Sequence, residues 1–215
     1  MLRYGEALIL STLTTATILV LINCYHFPPT FMPSTPVIHT IPPVYNSESR
    51  ILILGTMPSP KSREAGFFYM HAQNRFWKIL PVLFGESLSL PNNASDKEAA
   101  ISERTDFLLR HGIALWDVLS SCEITGASDS SIKNALPNDF TKIFEATKIR
   151  QIFCTGKTSF NLWQKFCAKN YETKYQLTSS CLPSPSPANA VWTLEKLIEE
   201  YKSILKFSLP KPFNS

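Results

Sequence analysis

The strongest constraint on the fold is a short apolar run at residues 50–54, Arg-Ile-Leu-Ile-Leu, which ends at Gly55. A strand with one face in water alternates apolar and polar residues, whereas this run is continuous after its arginine. The run therefore predicts a strand that is buried on both faces. Such a strand needs cover on both sides, which is typical of a sheet between two layers of helices.

The segments after this strand alternate between helix and strand patterns. Further strands are predicted at residues 113–118, 149–154 and 175–182, and helices at residues 74–84 (interrupted by Pro81), 98–111, 140–147, 159–169 and 190–205. This order predicts an α/β fold, a three-layer α/β/α sandwich with a central, mostly parallel four-stranded sheet. Ligands bind such sheets at the carboxyl ends of the strands, so the loops after Leu54, Val118, Cys154 and Leu182 should line the site.

Length and composition fit one globular domain, which we place at residues 39–207, followed by a tail at 208–215. The chain has 215 residues and a formal net charge of +4, which fits a polyanionic partner without demonstrating one. Residues 1–38 combine an apolar segment at 7–22 with a proline-rich linker. Three interpretations stay open: a signal or short membrane anchor, a disordered extension, or sequence that precedes a true start at Met32.

The cysteines form no metal-binding pattern. No two of the five are spaced as C-x-x-C, and no histidine lies at a zinc-finger distance from a pair. We therefore expect no zinc ion, iron–sulfur cluster or other cofactor. An odd count without a disulfide framework favours a reducing compartment, so we expect a cytoplasmic protein, with membrane anchoring through residues 7–22 as the alternative.

Two of the predicted strand-end loops have unusual compositions. The first is Gly-Thr-Met-Pro-Ser at residues 55–59, and the second is Leu-Pro-Ser-Pro-Ser-Pro-Ala-Asn at residues 182–189. Three closely spaced prolines make the second loop stiff, and its serines can offer hydroxyls and backbone amides to a phosphate. The alternative is a rigid strand-to-helix turn with Pro187 near the first helical position.

A third segment, residues 66–77, mixes aromatic side chains with His, Asn and Arg. This mixture suits a pocket that stacks a planar base and hydrogen-bonds its edge. The alternative is a core aromatic cluster with a surface arginine, and for Phe76 and Trp77 we favour this alternative. For Tyr69, His71 and Asn74 we favour the site.

These segments, in this order, resemble the signatures of the uracil-DNA glycosylase superfamily over residues 39–205. The Asn-Arg-Phe-Trp string at 74–77 also resembles the mismatch-specific uracil/thymine branch. The proline-rich loop, with residues 115–118 and 129–132, is most similar to the hypoxanthine (deoxyinosine) DNA glycosylase branch. The resemblance implies a monofunctional, monomeric repair hydrolase that flips a deaminated base out of DNA and cleaves its N-glycosidic bond.

One departure from the superfamily pattern bears on the mechanism. Most members place Asp or Asn two residues after the motif glycine, where it acts on the attacking water, but this chain has Met57 there. The hypoxanthine branch shares the apolar residue, and its catalytic asparagine matches Asn74. The departure therefore favours hypoxanthine over uracil as the excised base. The alternatives are a mismatch-type uracil-DNA glycosylase and a non-catalytic DNA-binding relative.

The resemblance implies the following site. Asn74 orients the water, Tyr69 stacks on the base, and His71 or backbone amides donate to the leaving purine. The rest of the base pocket is assigned to Gly55, Thr56, Met57, Pro58, Ser59 and, as a polar group at a strand end, Asp117. Ser184, Pro185 and Ser186 contact DNA, and Asn189 assists them or caps the helix that follows.

Overall fold

The computed structural model describes residues 35–125 and 128–208. The apolar segment predicted at residues 7–22, Met32 and nearly all of the tail predicted at 208–215 lie outside these ranges. No helix within the two ranges is long and apolar enough to cross a membrane.

The described residues form two sheets and several helices. The strands are β1 (Thr35–Ile38), β2 (Ile51–Gly55), β3 (Ile113–Asp117), β4 (Leu119–Ile124), β5 (Lys133–Pro137), β6 (Gln151–Thr155) and β7 (Thr178–Leu182). The α-helices are α1 (Pro60–Ala65), α2 (Phe76–Leu83), α3 (Lys97–Arg110), α4 (Thr141–Ala146), α5 (Lys157–Trp163), α6 (Lys169–Tyr175) and α7 (Leu194–Tyr201). A π-helical segment (Gln164–Ala168) joins α5 to α6, and 3-10 turns occupy Asp129–Ser131 and Lys202–Lys206.

The central sheet has four parallel strands in the order β3-β2-β6-β7. All five residues of β2 are buried. Ile51 and Ile53 pack with side chains of α2, α3 and α7, whereas Leu52 and Leu54 pack on the opposite face with side chains of α4 and α5. The apolar run is continuous because each face has its own helical layer. The predicted α/β/α sandwich with a four-stranded sheet is confirmed.

Three predicted boundaries at the carboxyl-terminal end are wrong. Helix α5 continues through the π-helical segment and α6 to Tyr175, and Gln176 ends it with a φ of 54°. Strand β7 consequently begins at Thr178 rather than at 175. The last helix begins at Leu194 rather than at 190, with the Thr193 side chain accepting from the Lys196 amide. Pro187 is therefore not at a helix start.

The sequence did not predict the second sheet, in which β1, β4 and β5 pair antiparallel in the order β1-β4-β5. Strand β4 begins after a single residue, Val118, that separates it from β3, so the pattern contains no visible break between them. The short helix α1 was also missed. It follows the first loop directly, with Ser59 as its N-cap and Pro60 in its first turn.

Candidate functional site

A cavity of about 460 Å³ lies at the carboxyl ends of the four parallel strands. Its walls come from the end of β3 and the segments after β2, β6 and β7, as the strand-end argument predicts, and also from α1 and the loop that carries Tyr69 and Asn74. Twelve of the thirteen residues that the sequence assigned to the site line it: Gly55, Thr56, Met57, Pro58, Ser59, Tyr69, Asn74, Asp117, Ser184, Pro185, Ser186 and Asn189. The other, His71, is not part of the lining, and its Nδ1 accepts from the backbone amide of Gln73.

Strands β2 and β3 end in register, with Gly55 opposite Asp117. A β-carbon on Gly55 would lie 2.1 Å from Asp117 Oδ1 and 3.0 Å from the Tyr69 hydroxyl. No side chain fits at such distances. The glycine is therefore required by the close approach of the Asp117 carboxyl to the β2 backbone.

The Asp117 carboxyl is buried beside a histidine that the sequence did not single out. His39 Nε2 lies 2.9 Å from Asp117 Oδ2, and the histidine side chain is only 1% exposed. Burial raises the pKa of Asp117, and the His39 hydrogen bond partly opposes that rise. Among the described residues, Asp117 Oδ1 has no hydrogen-bond partner. The carboxyl thus presents one acceptor oxygen at the cavity.

Tyr69 has a left-handed backbone, with a φ of 57°, and its ring stacks on Phe76 with centroids 4.0 Å apart. The phenol oxygen lies 2.8 Å from Thr155 Oγ1, and that hydroxyl donates in turn to the Leu54 carbonyl. Burial of the hydroxyl raises the pKa of Tyr69 well above its ordinary value, and the Asp117 charge adds to the rise. Because Phe76 covers one ring face, only the other face or the edge can meet a ligand.

Asn74 lies just before α2. Its Oδ1 accepts from the Phe76 amide at 3.0 Å, and among the described residues its Nδ2 has no partner. The carbonyl oxygen can accept a second hydrogen bond, so one side chain offers both an acceptor and donors to a bound molecule.

The loop that carries Tyr69 and Asn74 is held from behind by Asn92. Asn92 Nδ2 donates to the carbonyls of Tyr69, His71 and Asn74, at 3.4, 3.1 and 3.5 Å. Its Oδ1 accepts from the buried Arg104 guanidinium at 3.1 Å. No local pattern along the chain indicates this support, because Asn92 and Arg104 lie outside the motif.

Arg75 is half-buried and holds the proline-rich loop. Its guanidinium donates to the carbonyls of Pro185, Ser186 and Asn189, at 3.2, 2.6 and 3.0 Å, and also to the carbonyl of Trp192. Its backbone amide donates to Pro185 as well. Arg75 therefore ties the proline-rich loop to the residue next to Asn74.

The proline-rich loop is also bonded within itself. Asn189 Nδ2 donates to the Ser184 carbonyl at 3.0 Å, and the Ser186 amide donates to Ser184 Oγ at 3.3 Å. Because α7 starts only at Leu194, Asn189 closes this loop and caps no helix. The loop is an ordered wall of the cavity with its serines at the lining.

The cavity contains a second carboxyl, Asp129, which the sequence had placed only in a segment of the resemblance. Thr56 Oγ1 donates to Asp129 Oδ2 at 2.8 Å. The residue as a whole is exposed at the rim, but burial of its carboxyl and the Asp117 charge raise its pKa, against the lowering effect of Thr56. Two cationic side chains also line the cavity, Arg63 and Lys157. The rim thus offers charges of both signs.

Within the described ranges, no three His, Cys, Asp or Glu side chains are grouped so that they could hold a metal ion. The described cysteines are all free thiols. Burial raises the pKa of Cys154 and of Cys167 to about 12, so both stay protonated at neutral pH.

Residues 42–206 match the family model described as the uracil DNA glycosylase superfamily. Two similar proteins are named hypoxanthine DNA glycosylase. The one from Methanosarcina barkeri is 34% identical over 140 residues, which is 65% of this chain and 84% of the relative. The one from Methanosarcina acetivorans is 31% identical over 149 residues, which is 69% of this chain and 85% of the relative.

A similar fold is found in a solution NMR structure from Methanosarcina acetivorans described as a candidate uracil DNA glycosylase. The TM-score is 0.57 at 23% sequence identity, and the match covers 80% of this chain and 99% of that one. At this identity the likeness concerns the fold alone.

Proposed function

The chain belongs to the uracil DNA glycosylase superfamily, and from this premise we propose that it hydrolyses the N-glycosidic bond of a deaminated base in DNA, hypoxanthine in deoxyinosine first of all. The observation that carries the proposal is the meeting of Asn74, Tyr69 and Asp117 at one cavity, on a chain with Met57 in the usual place of the water-activating residue.

The Asp117 carboxyl supports discrimination between hypoxanthine and adenine. Deamination of adenine gives hypoxanthine, which carries a proton on N1, whereas N1 of adenine carries a lone pair. Asp117 Oδ1 can accept that N1–H, and the same oxygen would repel the lone pair of adenine. Xanthine and uracil carry an equivalent N–H, and so do guanine and thymine, so this contact disfavours adenine and cytosine, whereas rejection of guanine and thymine needs other contacts.

Asn74 is the residue to which we assign the attacking water. Met57 is 9% exposed, packs in the apolar cluster of the α4–α5 face and has no group that can hold water. The second lone pair of Asn74 Oδ1 can accept from a water and aim it at the anomeric carbon. No strong base is needed if positioning and stabilisation of the departing base supply the rate.

We assign stabilisation of the leaving purine to backbone amides of the loop at 55–59. The sequence allowed either these amides or His71 as the hydrogen-bond donor to the leaving purine. We choose the amides because His71 does not line the cavity. Tyr69 is assigned to contact the flipped base with the ring face that Phe76 does not cover.

The DNA backbone is assigned to the proline-rich loop. Ser184 and Ser186 face the cavity with hydroxyls that can bond phosphates, and Pro185 between them is suited to press into the minor groove. Lys157 at the rim adds a cation that can pair with a phosphate.

We also propose that the protein acts as a monomer, since one chain contributes every assigned residue, and that it works in the cytoplasm or with the nucleoid or nucleus. The free thiols fit a reducing compartment. A membrane tether through residues 7–22 is the alternative, and cell fractionation separates the two.

The test is release of free base from oligonucleotides that contain deoxyinosine, deoxyuridine or deoxyxanthosine, with the full chain. We expect release from deoxyinosine to be fastest. Fastest release from deoxyuridine would instead identify a mismatch-type uracil enzyme. DNA binding without release from any of the three would identify a non-catalytic relative.

The Asn74→Ala variant tests the assigned catalytic residue. It should lose turnover on the order of a hundredfold or more, as removal of a positioned catalytic group does, and still bind DNA. Full activity in this variant would remove Asn74 from the mechanism.

A further inference from the structure

A second cavity, of about 390 Å³, lies at the amino-terminal edge of the central sheet, opposite the edge that carries Asn74. It is lined by Arg50, Lys148, Arg150, Lys206 and Phe207, which we call the basic groove. The proposed reaction uses none of these residues.

Two of the cations lie side by side, directly before neighbouring strands. Arg50 precedes β2 and Arg150 precedes β6, one step before the pair Ile51 and Gln151 in the parallel register. The Arg150 amide donates to the Arg50 carbonyl at 3.0 Å, which fixes the spacing of the two residues. Like charges paired across strands destabilise a sheet. A bound anion would offset that repulsion.

The charges of the groove are only partly neutralised within the protein. Lys148 Nζ lies 2.7 Å from Glu48, so one of the four cations is paired. Arg150 donates to the carbonyl of its neighbour Ile149. The side chains of Arg50 and Lys206 have no hydrogen bond or ion pair within 4 Å among the described residues, although the charge of Arg50 also attracts the Glu48 carboxylate. The four cations of the groove and the one carboxylate paired with them leave an excess of three positive charges in the groove.

Phe207 adds a flat apolar surface beside the cations. The residue is 42% exposed, although its ring meets Phe153 at a centroid distance of 6.0 Å. Guanidinium groups bind phosphates, and exposed aromatic rings stack on unpaired bases. An acidic peptide or a free phosphate would use the cations but not the ring.

We propose that the basic groove binds a single-stranded segment of nucleic acid, with phosphates on Arg50 and Arg150 and a base on Phe207. One molecule then contacts nucleic acid at two opposite edges of its sheet. The catalytic cavity contacts the lesion, and the basic groove contacts a second segment without regard to its sequence.

The test measures binding of a short, undamaged, labelled single strand by fluorescence anisotropy over a range of salt concentrations. The double variant Arg50→Glu with Arg150→Glu should bind at least about tenfold more weakly. Loss of two phosphate contacts should also reduce the slope of log K against log salt by about 1.4, at roughly 0.7 for each contact on a single strand. Phe207→Ala should weaken binding about fivefold or more and leave that slope unchanged.

The matched control is Lys165→Glu with Lys169→Glu, which changes the net charge by the same amount at two exposed positions outside both cavities. An equal loss of binding affinity in this control would show that the effect of the arginine substitutions comes from net charge alone, and it would overturn the proposal. The proposal would also be overturned if the double variant of Arg50 and Arg150 bound the strand with wild-type affinity and wild-type salt dependence. The same holds if inorganic phosphate displaces the labelled strand as well as an unlabelled strand does at an equal concentration of phosphate groups.

Thermal unfolding checks that the variants are folded. If the glutamate pair does not fold, Arg50→Gln with Arg150→Gln removes the same phosphate contacts without reversing charge, and the same change in slope is expected. The groove and the catalytic proposal fail separately. The double variant of Arg50 and Arg150 should release base from a short deoxyinosine duplex at a rate within about twofold of the wild-type rate. A wild-type protein that releases no base would refute only the glycosylase assignment.

Discussion

The Asp117 carboxyl occupies the space in which a side chain on Gly55 would begin, so that Oδ1 lies 2.1 Å from where a β-carbon would be. The two residues end adjacent strands in register, and the Tyr69 hydroxyl approaches the same point. A motif glycine, a buried acid and an aromatic wall of the cavity are thus parts of one packing arrangement.

Substitution of Gly55 by Ala should therefore displace the Asp117 carboxyl. We expect a loss of base release of tenfold or more, with destabilisation of about 1–3 kcal/mol, as for overpacking in other cores. The measurements are single-turnover release from deoxyinosine and denaturant unfolding. The control is Gly66→Ala, where a β-carbon meets nothing within 4 Å but the φ of 73° disfavours it. That variant should lose stability and keep activity, and an equal loss of activity in both would argue against the role of Asp117.

The raised pKa of Asp117 gives stability a defined pH dependence. Below the ordinary value of 3.8 the buried carboxyl is protonated in both states. Between that value and the raised pKa of the folded state, the unfolded chain releases this proton while the folded protein still holds it. The free energy of unfolding therefore decreases as the pH rises through this range. The unfolding free energy of Asp117→Asn, compared with wild type, should thus increase from about pH 4 upward. Urea unfolding of both proteins at several pH values tests this, and a difference that falls or stays constant with pH would contradict it.

Asp117→Asn should also weaken discrimination between hypoxanthine and adenine. The amide can turn either its oxygen or its NH₂ group to the base, so it no longer repels adenine N1. We expect the ratio of the two release rates to fall by about tenfold or more, the effect of a hydrogen bond of about 1.4 kcal/mol. Release from matched deoxyinosine and deoxyadenosine oligonucleotides gives the ratio directly. An unchanged ratio would mean that another group selects the base.

Arg75→Lys should loosen the proline-rich loop. A single ammonium group cannot serve the four carbonyls that the guanidinium reaches, and unpaired buried carbonyls cost about 1–3 kcal/mol. We expect lower stability, a higher KM for DNA and slower turnover, because the same residue adjoins Asn74. Lys78→Ala on the exposed face of α2 is the control and should change none of the three. Wild-type KM and kcat in the lysine variant would show that the loop keeps its shape without Arg75.

Tyr69→Phe should have a small effect, and Tyr69→Ala a large one. The phenylalanine keeps the ring that stacks on Phe76 and loses only the hydrogen bond to Thr155, worth about 0.5–1.5 kcal/mol. We expect activity within about tenfold of wild type for Tyr69→Phe. Tyr69→Ala removes the stacking surface and should lose at least tenfold more. Equal activities of the two variants would exclude stacking as the function of this side chain.

Local patterns in the sequence were sufficient to predict helices and strands that need no specific packing partner. The continuous apolar run of β2 needs only some helix on each face, so its burial follows from composition alone. Helices α3 and α4 begin and end close to their predicted bounds, since their periodicity and end residues are local. The start of β7 was missed because the preceding helix extends through a π-helical segment, which leaves no local signature.

Most of the candidate site was predictable for the same reason. Parallel strands bring their carboxyl ends to one edge, so Gly55, Asp117 and Ser184 had to come near one another once the strands were assigned. The tertiary structure alone decided which partners they have. His39 reaches Asp117 across 78 positions, Thr56 reaches Asp129 across 73, and Arg75 reaches the proline-rich loop across more than 100. Hydrogen bonds of this kind depend on the packed positions of side chains from distant segments, and no periodicity or spacing along the chain encodes them.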